Sequence, residues 1–345
     1  MGIAWRHGAR TRAPELPNSL ESPVIHTDKL TRTFVVKKET VEAVKGVDIN
    51  VAPGELVAFL GPNGAGKSTT LRMLTTLLRP TSGTATVAGV DVLADPAGVR
   101  ARIGYIGQGN GGGHSFRVID EMVMQGRFYG MNTTDANARA QELLKSLDLT
   151  DLAKRTVIKL SGGQRRRMDV ALGLMHSPRL LFLDEPSTGM DPQNRANLWE
   201  HIMRMRAEHG TTIVLTTHYM DEADLMSERV IVIDHGQIIA DDTAARLKAN
   251  LAGDLLAVEV AAESAPGVRG LLGRAAAGGE VSENTYDGVV RFRLRLTEGA
   301  RLAPALLKEM HDAGAPAQSL ELKPPTLDDV FLELTGRNLR EGADR

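Results

Sequence analysis

A lysine and a serine in a glycine-rich run, two consecutive carboxylates ending an apolar run, and a lone histidine further on are the residues here that can do chemistry together. The run is Gly61-Pro62-Asn63-Gly64-Ala65-Gly66-Lys67-Ser68-Thr69. The apolar stretch 56–60 before it reads as a buried parallel strand. The stretch 70–78 after it reads as a helix with an apolar face. Strand, glycine-rich turn and helix make a phosphate-binding loop. Such a turn leaves backbone N–H groups aimed inward, and the helix adds its positive N-terminal end. Side chains at Gly61, Gly64 and Gly66 would obstruct the approach or forbid the backbone angles. Lys67 is placed to reach the β- and γ-phosphates, and Ser68 to offer its hydroxyl to Mg²⁺. Leu180-Leu181-Phe182-Leu183 reads as a second buried strand, and Asp184-Glu185 ends it where α/β sheets place ligands. Asp184 there can hold Mg²⁺ through water, and Glu185 can polarise the water attacking the γ-phosphate. His218 ends a further strand on the same sheet edge. It is either a structural histidine or a contact to the γ-phosphate or attacking water.

A second anion-binding shape lies between these motifs. Ser161-Gly162-Gly163-Gln164 opens a helix after Leu160, and serine with two glycines at a helix start forms a nest of N–H groups. Arg165, Arg166 and Arg167 follow. Three arginines in a first helical turn oppose the helix dipole, so carboxylates or an anion are expected beside them.

The elements that must position these groups can be read in order. Residues 1–23 are rich in Arg, Pro, Ser and Gly and read as a disordered tail. Strands are expected over 24–34 and 41–51, with a turn at Lys37-Lys38-Glu39. Phe34 is either a packed strand residue or a ring for adenine to stack on. Further strands are expected over 85–92, with a turn at Ala88-Gly89, and over 103–106 after a short helix at 99–102. Gln108 then leads into Gly109-Asn110-Gly111-Gly112-Gly113-His114, which is mobile, ordered by a partner or a plain connection. Helices follow over 118–129 and 135–147, the second capped by Thr133 or Thr134 with a stripe of Ala138, Leu143, Leu144 and Leu147. Met122, Met124 and Met131 are either helical core or a partner surface. Together with the helix at 168–175 they make a helical subdomain over about 115–175. Asp191 is placed as an N-cap, with Pro192 in the first turn of a helix over 193–208. Strands over 211–215 and 229–234, a hairpin at His235-Gly236 and a helix ending near 250 complete this part.

Residues 251–335 read as a small α+β extension, and 336–345 as a tail. Strands are expected at 256–260, 290–296 and 320–322, and helices at 268–274, 304–310 and 327–334, the last capped by Thr326. In 290–296, Arg291, Arg293 and Arg295 alternate with apolar residues, giving one buried and one solvated face, the latter available to lipid headgroups or acidic protein.

At 345 residues two domains are expected, and 42% hydrophobic residues suffice for a buried core. A net charge of -2 argues against a general nucleic-acid binder. The chain has no cysteine, so disulfides and thiolate metal sites are excluded. No apolar run is long enough to cross a bilayer, and no apolar segment follows the early arginines as in a secretory signal, so a membrane role is expected to run through a partner.

The phosphate-binding loop, Gln108, Leu160 to Gln164, Asp184-Glu185 and His218, in this order, resemble the nucleotide-binding subunit of ABC transporters over about 24–250. The resemblance implies an α/β P-loop NTPase fold: a RecA-like core, an antiparallel β subdomain and a helical subdomain, here followed by the small α+β domain. It implies ATP and Mg²⁺, with Ser68, Gln108 and Asp184 at the metal. Gln108 becomes the glutamine sensing the membrane partner, 160–164 the signature motif, Ser187 to Asp191 the D-loop and His218 the switch histidine. Phe34 lines up with the adenine-stacking aromatic. Arg165-Arg166-Arg167-Met168-Asp169, Thr217-His218-Tyr219-Met220-Asp221-Glu222-Ala223 and Pro325-Thr326-Leu327-Asp328-Asp329-Val330-Phe331 are similar to the daunorubicin/doxorubicin-resistance type of exporter ATPase, which works with a separate ABC-2 permease. The glycine-rich loop after Gln108 departs from that pattern.

By that resemblance two copies pair at the cytoplasmic face of the membrane, and ATP on one P-loop meets Ser161-Gly162-Gly163 of the other. Hydrolysis at Glu185 releases the pair, and the motion reaches the permease near Gln108. A soluble ABC ATPase acting on nucleic acid or translation is the competing class. One cassette, no sustained heptads and a slightly negative charge disfavour it. A non-hydrolysing ATP-binding regulator is disfavoured by the intact Lys67, Asp184, Glu185 and His218.

Overall fold

The computed structural model describes residues 22–109, 111, 113, 115–276 and 279–336. The tail expected over 1–23 lies outside the described residues except for its last two positions, as does 337–345, and so do Asn110, Gly112 and His114.

Two sheets build the first part. Strands β1 (Ile25–Val36), β2 (Glu39–Val47), β3 (Asn50–Val51), β5 (Ser82–Val87) and β6 (Val90–Asp91) form an antiparallel sheet in the order β2-β1-β5-β6, with β3 also on β1. Lys37 and Lys38, at φ +49° and +73°, make the tight β1–β2 turn, a conformation that matches the twist of a two-residue hairpin. The central sheet holds β4 (Leu56–Leu60), β7 (Ile103–Ile106), β8 (Leu180–Asp184), β9 (Thr212–Thr217), β10 (Arg229–Asp234) and β11 (Gln237–Asp242). Its order is β11-β10-β4-β9-β8-β7, parallel except for the edge strand β11. Both faces are covered, which is why β4 and β8 are uninterrupted apolar runs. Leu56, Ala58 and Leu60 enter one core cluster, while Val57 and Phe59 enter the other.

Helix α1 (Lys67–Leu74) is shorter than the expected 70–78, because Thr76 takes φ +62° and Leu78 N–H turns back to the Arg72 carbonyl. Helix α2 (Pro96–Arg102) leads into β7. The helical subdomain comprises α3 (Val118–Phe128), α4 (Thr133–Ser146) and α5 (Gly162–Leu174). Asn132, not Thr133 or Thr134, caps α4 by accepting the Asp135 N–H. Its buried stripe uses Ala136 and Ala140, while Ala138 faces solvent. Met122 is core, Met131 packs against it and Met124 is exposed. Helices α6 (Pro192–His209), α7 (Met220–Met226) and α8 (Ala244–Leu247) follow, α8 running into a single π turn at Lys248–Ala252.

The extension runs β12 (Asp254–Ala261), α9 (Ala265–Ala275), β13 (Val281–Tyr286), β14 (Val289–Leu296), α10 (Gly299–Asp312), β15 (Ser319–Lys323). Its antiparallel order β13-β14-β12-β15 is the ferredoxin-like split βαβ arrangement. The sequence reading lacked β13, whose exposed Ser282-Glu283-Asn284 carries little strand signal. It also started α10 at Pro304, whereas the helix begins at Gly299 and carries Pro304 inside it. Val290, Phe292, Leu294 and Leu296 are buried as the alternation requires. On the other face Arg291 pairs with Glu259 and Glu321, and Arg295 with Asp329, so this chain's own carboxylates answer much of the basic row. The last helix, α11 (Leu327–Thr335), leaves the extension: Leu327, Val330 and Phe331 join the main core of the first part.

Candidate functional site

Parallel register brings the chemistry to one edge. Leu60 on β4 stands opposite Thr217 on β9, Thr216 opposite Asp184 on β8, and Leu183 opposite Ile106 on β7. The loops after β4, β7, β8 and β9 therefore emerge together, as expected of the carboxyl ends of a parallel sheet.

The loop after β4 closes a cavity of about 370 Å³ lined by residues 63–69 with Gln108 and Glu185. Two glycines there are fixed by the chain's own backbone. A Cβ on Gly61 would collide with the Ile233 carbonyl, and one on Gly66, at φ +108°, would stand 2.5 Å from the Ala43 carbonyl. Gly64, at φ +80°, has open space around it. Lys67 is buried, and its Nζ donates to the carbonyls of Gly61 at 2.7 Å and Pro62 at 2.9 Å. Burial pulls its pKa below the ordinary lysine value, opposed by Glu185 and Asp184.

Beside it, Asp184 is fully buried and its Oδ1 accepts from Ser68 Oγ at 2.7 Å and Thr216 Oγ1 at 2.8 Å. Gln108 Nε2 lies 3.4 Å from the same Ser68 Oγ. Asp184 Oδ2 is buried with no hydrogen-bond partner among the described residues. An orphaned carboxylate oxygen beside a serine hydroxyl and a glutamine amide is a donor set that fits Mg²⁺, which keeps most of its water and takes one or two carboxylates. Among the described residues no cluster of three or more His, Asp or Glu forms an all-protein cage.

Glu185 takes φ +46°, a strained conformation for a glutamate. Its N–H donates to Thr216 Oγ1 at 3.0 Å, and its carboxylate accepts from Thr188 Oγ1 at 3.2 Å. His218 Nδ1 stands 3.5 Å from one carboxylate oxygen and Lys67 Nζ 3.9 Å from the other. The His218 ring first, with Lys67 and Thr188 also contributing, holds the Glu185 carboxyl below the usual carboxylate range against the opposing effect of burial. The His218 contact is long for a hydrogen bond, and by strict geometry its Nδ1 has no hydrogen-bond partner among the described residues.

The other candidates stand apart from this cavity. Ser161, Gly162 and Gly163 line a second cavity of about 410 Å³ with Asp191, and the two cavities share Gln108 and Glu185 as walls. Ser161 caps α5 in a capping box, its Oγ accepting Gln164 N–H while Gln164 Oε1 accepts Ser161 N–H. Gln164 is thus spent within its own helix. A Cβ on Gly163 would stand 2.5 Å from Asn194 Oδ1, so this glycine lets α5 approach α6. Asp191 caps α6 by accepting from Asn194 N–H at 2.9 Å. Phe34 lines neither cavity, and the Arg32 guanidinium lies 4.5 Å over its ring. Of the arginines after the nest, Arg166 has the expected carboxylates near it, Asp169 and Asp184, which favour its charge. Arg166 is buried and donates to three backbone carbonyls, at Gly107, Pro186 and Asp184.

Sequence reasoning missed Thr216, Thr188, Arg166 and Glu222 as parts of this site. Buried Glu222 accepts from Thr217 Oγ1 at 2.9 Å, from Trp199 Nε1 at 3.2 Å and from Ser187 Oγ, tying the strand end before His218 to the loop after Glu185. A polar pair ending an apolar strand, Thr216-Thr217, was the available signal.

The family model described as ABC transporter matches residues 44–188. The daunorubicin resistance ATP-binding protein DrrA2 of Streptomyces coeruleorubidus is 40% identical over 318 residues, covering 88% of this chain and 95% of that protein. The chain belongs to the ABC transporter ATP-binding proteins. The daunorubicin/doxorubicin resistance ATP-binding protein DrrA of Streptomyces peucetius, another member, is 39% identical over 92% of this chain and 94% of its own. A solved ATP-binding cassette, dimeric, in a post-hydrolysis state and bound to ADP and Pi, superposes with a TM-score of 0.59 at 25% identity, covering 64% of this chain and 98% of its own. The fold is thus that of an ABC ATPase, with a RecA-like core and β and helical subdomains, and it carries the ATP and Mg²⁺ use and the ATP hydrolysis of that class. No helix among the described residues is long and apolar enough to cross a membrane.

Proposed function

We propose that this ABC ATPase is the motor of an exporter, driving a hydrophobic, drug-like compound out through a separate ABC-2 permease. It works as a homodimer at the cytoplasmic face of the membrane, attached through the permease. The observation that carries the export reading is the match to daunorubicin-resistance ATP-binding proteins, which covers 88% and 92% of this chain and is therefore too long to be confined to the cassette.

The geometry supports the roles of Lys67, Ser68, Asp184 and Glu185, and the family resemblance those of the second copy and of Phe34. The N–H groups of 63–69 cradle the phosphates, and Lys67 leaves the Gly61 and Pro62 carbonyls to meet the β- and γ-phosphates. Ser68, Asp184 and Gln108 would hold Mg²⁺, which would neutralise charge on those phosphates. Glu185, whose pKa is lowered further below its ordinary value, orients and polarises the attacking water as a carboxylate, and His218 steadies it. Ser161-Gly162-Gly163 of the second copy, with Asp191 beside them, close over the nucleotide, and Phe34 takes the adenine.

Two measurements test this. Purified protein with Mg-ATP should release phosphate steadily, and Glu185→Gln should lower turnover by about 10²–10⁴-fold while nucleotide binding persists. Affinity purification from membranes should recover a multi-span membrane protein. Recovery of nucleic acid in its place would overturn the export reading.

A further inference from the structure

Arg166 sits one turn inside α5, on the helix whose first residues form the Ser161-Gly162-Gly163 nest. It is buried, and although the carboxylates of Asp169 and Asp184 stand close enough to favour its charge, as expected beside this arginine run, its hydrogen bonds go to carbonyls. Nε donates to Pro186 O at 2.7 Å, Nη1 to Gly107 O at 2.7 Å and Nη2 to Asp184 O at 3.4 Å. Asp184 and Pro186 are the neighbours of Glu185 on either side. One guanidinium therefore holds the carbonyl before Glu185 and the carbonyl after it. Gly107 immediately precedes Gln108, so the same group also holds the start of the loop that presents the glutamine.

A left-handed backbone at a glutamate is strained and persists only when its surroundings over-determine it. Here the Glu185 N–H is fixed by Thr216 and the flanking carbonyls by Arg166. The three carbonyls are served by three different nitrogens of one planar guanidinium, whereas a lysine ammonium gathers its three donors on a single nitrogen at the end of a flexible stem.

We propose that Arg166 is the positioning residue for hydrolysis: it locks the strained Glu185 backbone and the Gln108 loop in register, and ties that register to the helix bearing the nest. Movement of α5 against a second copy is then transmitted to Glu185 within the same chain through one side chain. This rests on the role given to Glu185 under the proposed function.

The test compares Arg166→Lys, Arg166→Gln and Glu185→Gln in the full-length protein. Thermal unfolding, fluorescent ATP-analogue affinity, and kcat and KM for Mg-ATP are measured. Arg166→Lys should lower kcat about 10²-fold, the size expected of a catalytic group displaced by about 1 Å, with KM and analogue affinity within about threefold of wild type. Arg166→Gln should fall at least as far. In the double variant with Glu185→Gln, Arg166→Lys should add no further loss, because both act on one group. Wild-type kcat in Arg166→Lys would overturn the proposal, as would a parallel fall of affinity, melting temperature and kcat. Loss of both Arg166 variants to misfolding would assign the residue to folding alone and also overturn it. Wild-type turnover in Glu185→Gln would sink the underlying assignment instead, a result distinguishable from failure at Arg166.

Discussion

Glu185 carries its charge because of what surrounds it. Its folded pKa lies below the free value of 4.5, chiefly through His218 and also through Lys67. A depressed carboxylate contributes stability that is fully present above the unfolded pKa and is lost as pH falls through the folded value. Between about pH 5 and pH 3, wild type should therefore lose more stability in urea unfolding than Glu185→Gln does. Equal losses would mean that Glu185 feels no such field. Glycine positions separate in the same way. Gly66 is closed by the Ala43 carbonyl at 2.5 Å from a would-be Cβ and has φ +108°, whereas Gly64 has φ +80° and open space. Gly66→Ala must displace β2 or the loop, and should cost at least about 1–3 kcal/mol and most nucleotide binding. Gly64→Ala meets only the backbone penalty and should be milder on melting temperature. Identical melting for the two would remove the close approach as the reason for Gly66.

Among the elements, α11 is one that follows the extension in sequence yet packs into the cassette core. Thr326 caps it in a capping box with Asp329, and Phe331 is buried in the cassette core, although the sequence between Asn250 and Thr326 builds a separate ferredoxin-like core around Phe292. Phe331→Ala should therefore cost about 3–5 kcal/mol in the unfolding of the ATP-binding part itself, read by release of a bound fluorescent nucleotide on denaturation. Phe292→Ala should cost as much in its own unit and shift nucleotide release less. The reverse ranking would place α11 with the extension. The sequence announces strands such as β4 and β8, because a strand buried on both faces must be an apolar run. It hides β13, an edge strand of exposed polar residues, and the return of α11, because an amphipathic helix does not say which core it will cover. The same limit applied at the site. Lys67, Ser68, Asp184 and Glu185 were legible because phosphate and metal chemistry dictates their types and local spacing. Arg166 was not, since its carbonyl partners lie 59, 20 and 18 residues away and a carbonyl carries no side-chain signature.

At the scale of the whole molecule, the arrangement of the two cavities argues for a second copy. The phosphate-cradling cavity is walled by 63–69, Gln108 and Glu185, while Ser161, Gly162 and Gly163 of the same chain open onto the other. A nest of N–H groups that its own P-loop does not use is complementary to a triphosphate presented by another chain, and two-fold symmetry satisfies both sites at once. Glu185→Gln, in which hydrolysis should be slowed, should therefore sediment as a dimer with Mg-ATP and as a monomer without it. Gly162 offers a clean test, because nothing lies within 4 Å of a Cβ built on it and a side chain there leaves the fold alone. Gly162→Asp on the Glu185→Gln background places a negative charge where a triphosphate should arrive. Nucleotide affinity of the monomer should be unchanged, since the P-loop is intact. ATP-induced dimerisation should weaken at least about tenfold, or about 1.4 kcal/mol. If the aspartate variant pairs as tightly as its parent, the nest does not face the partner's phosphates. If it instead loses nucleotide as a monomer, the nest serves its own chain's P-loop and the two-copy site falls.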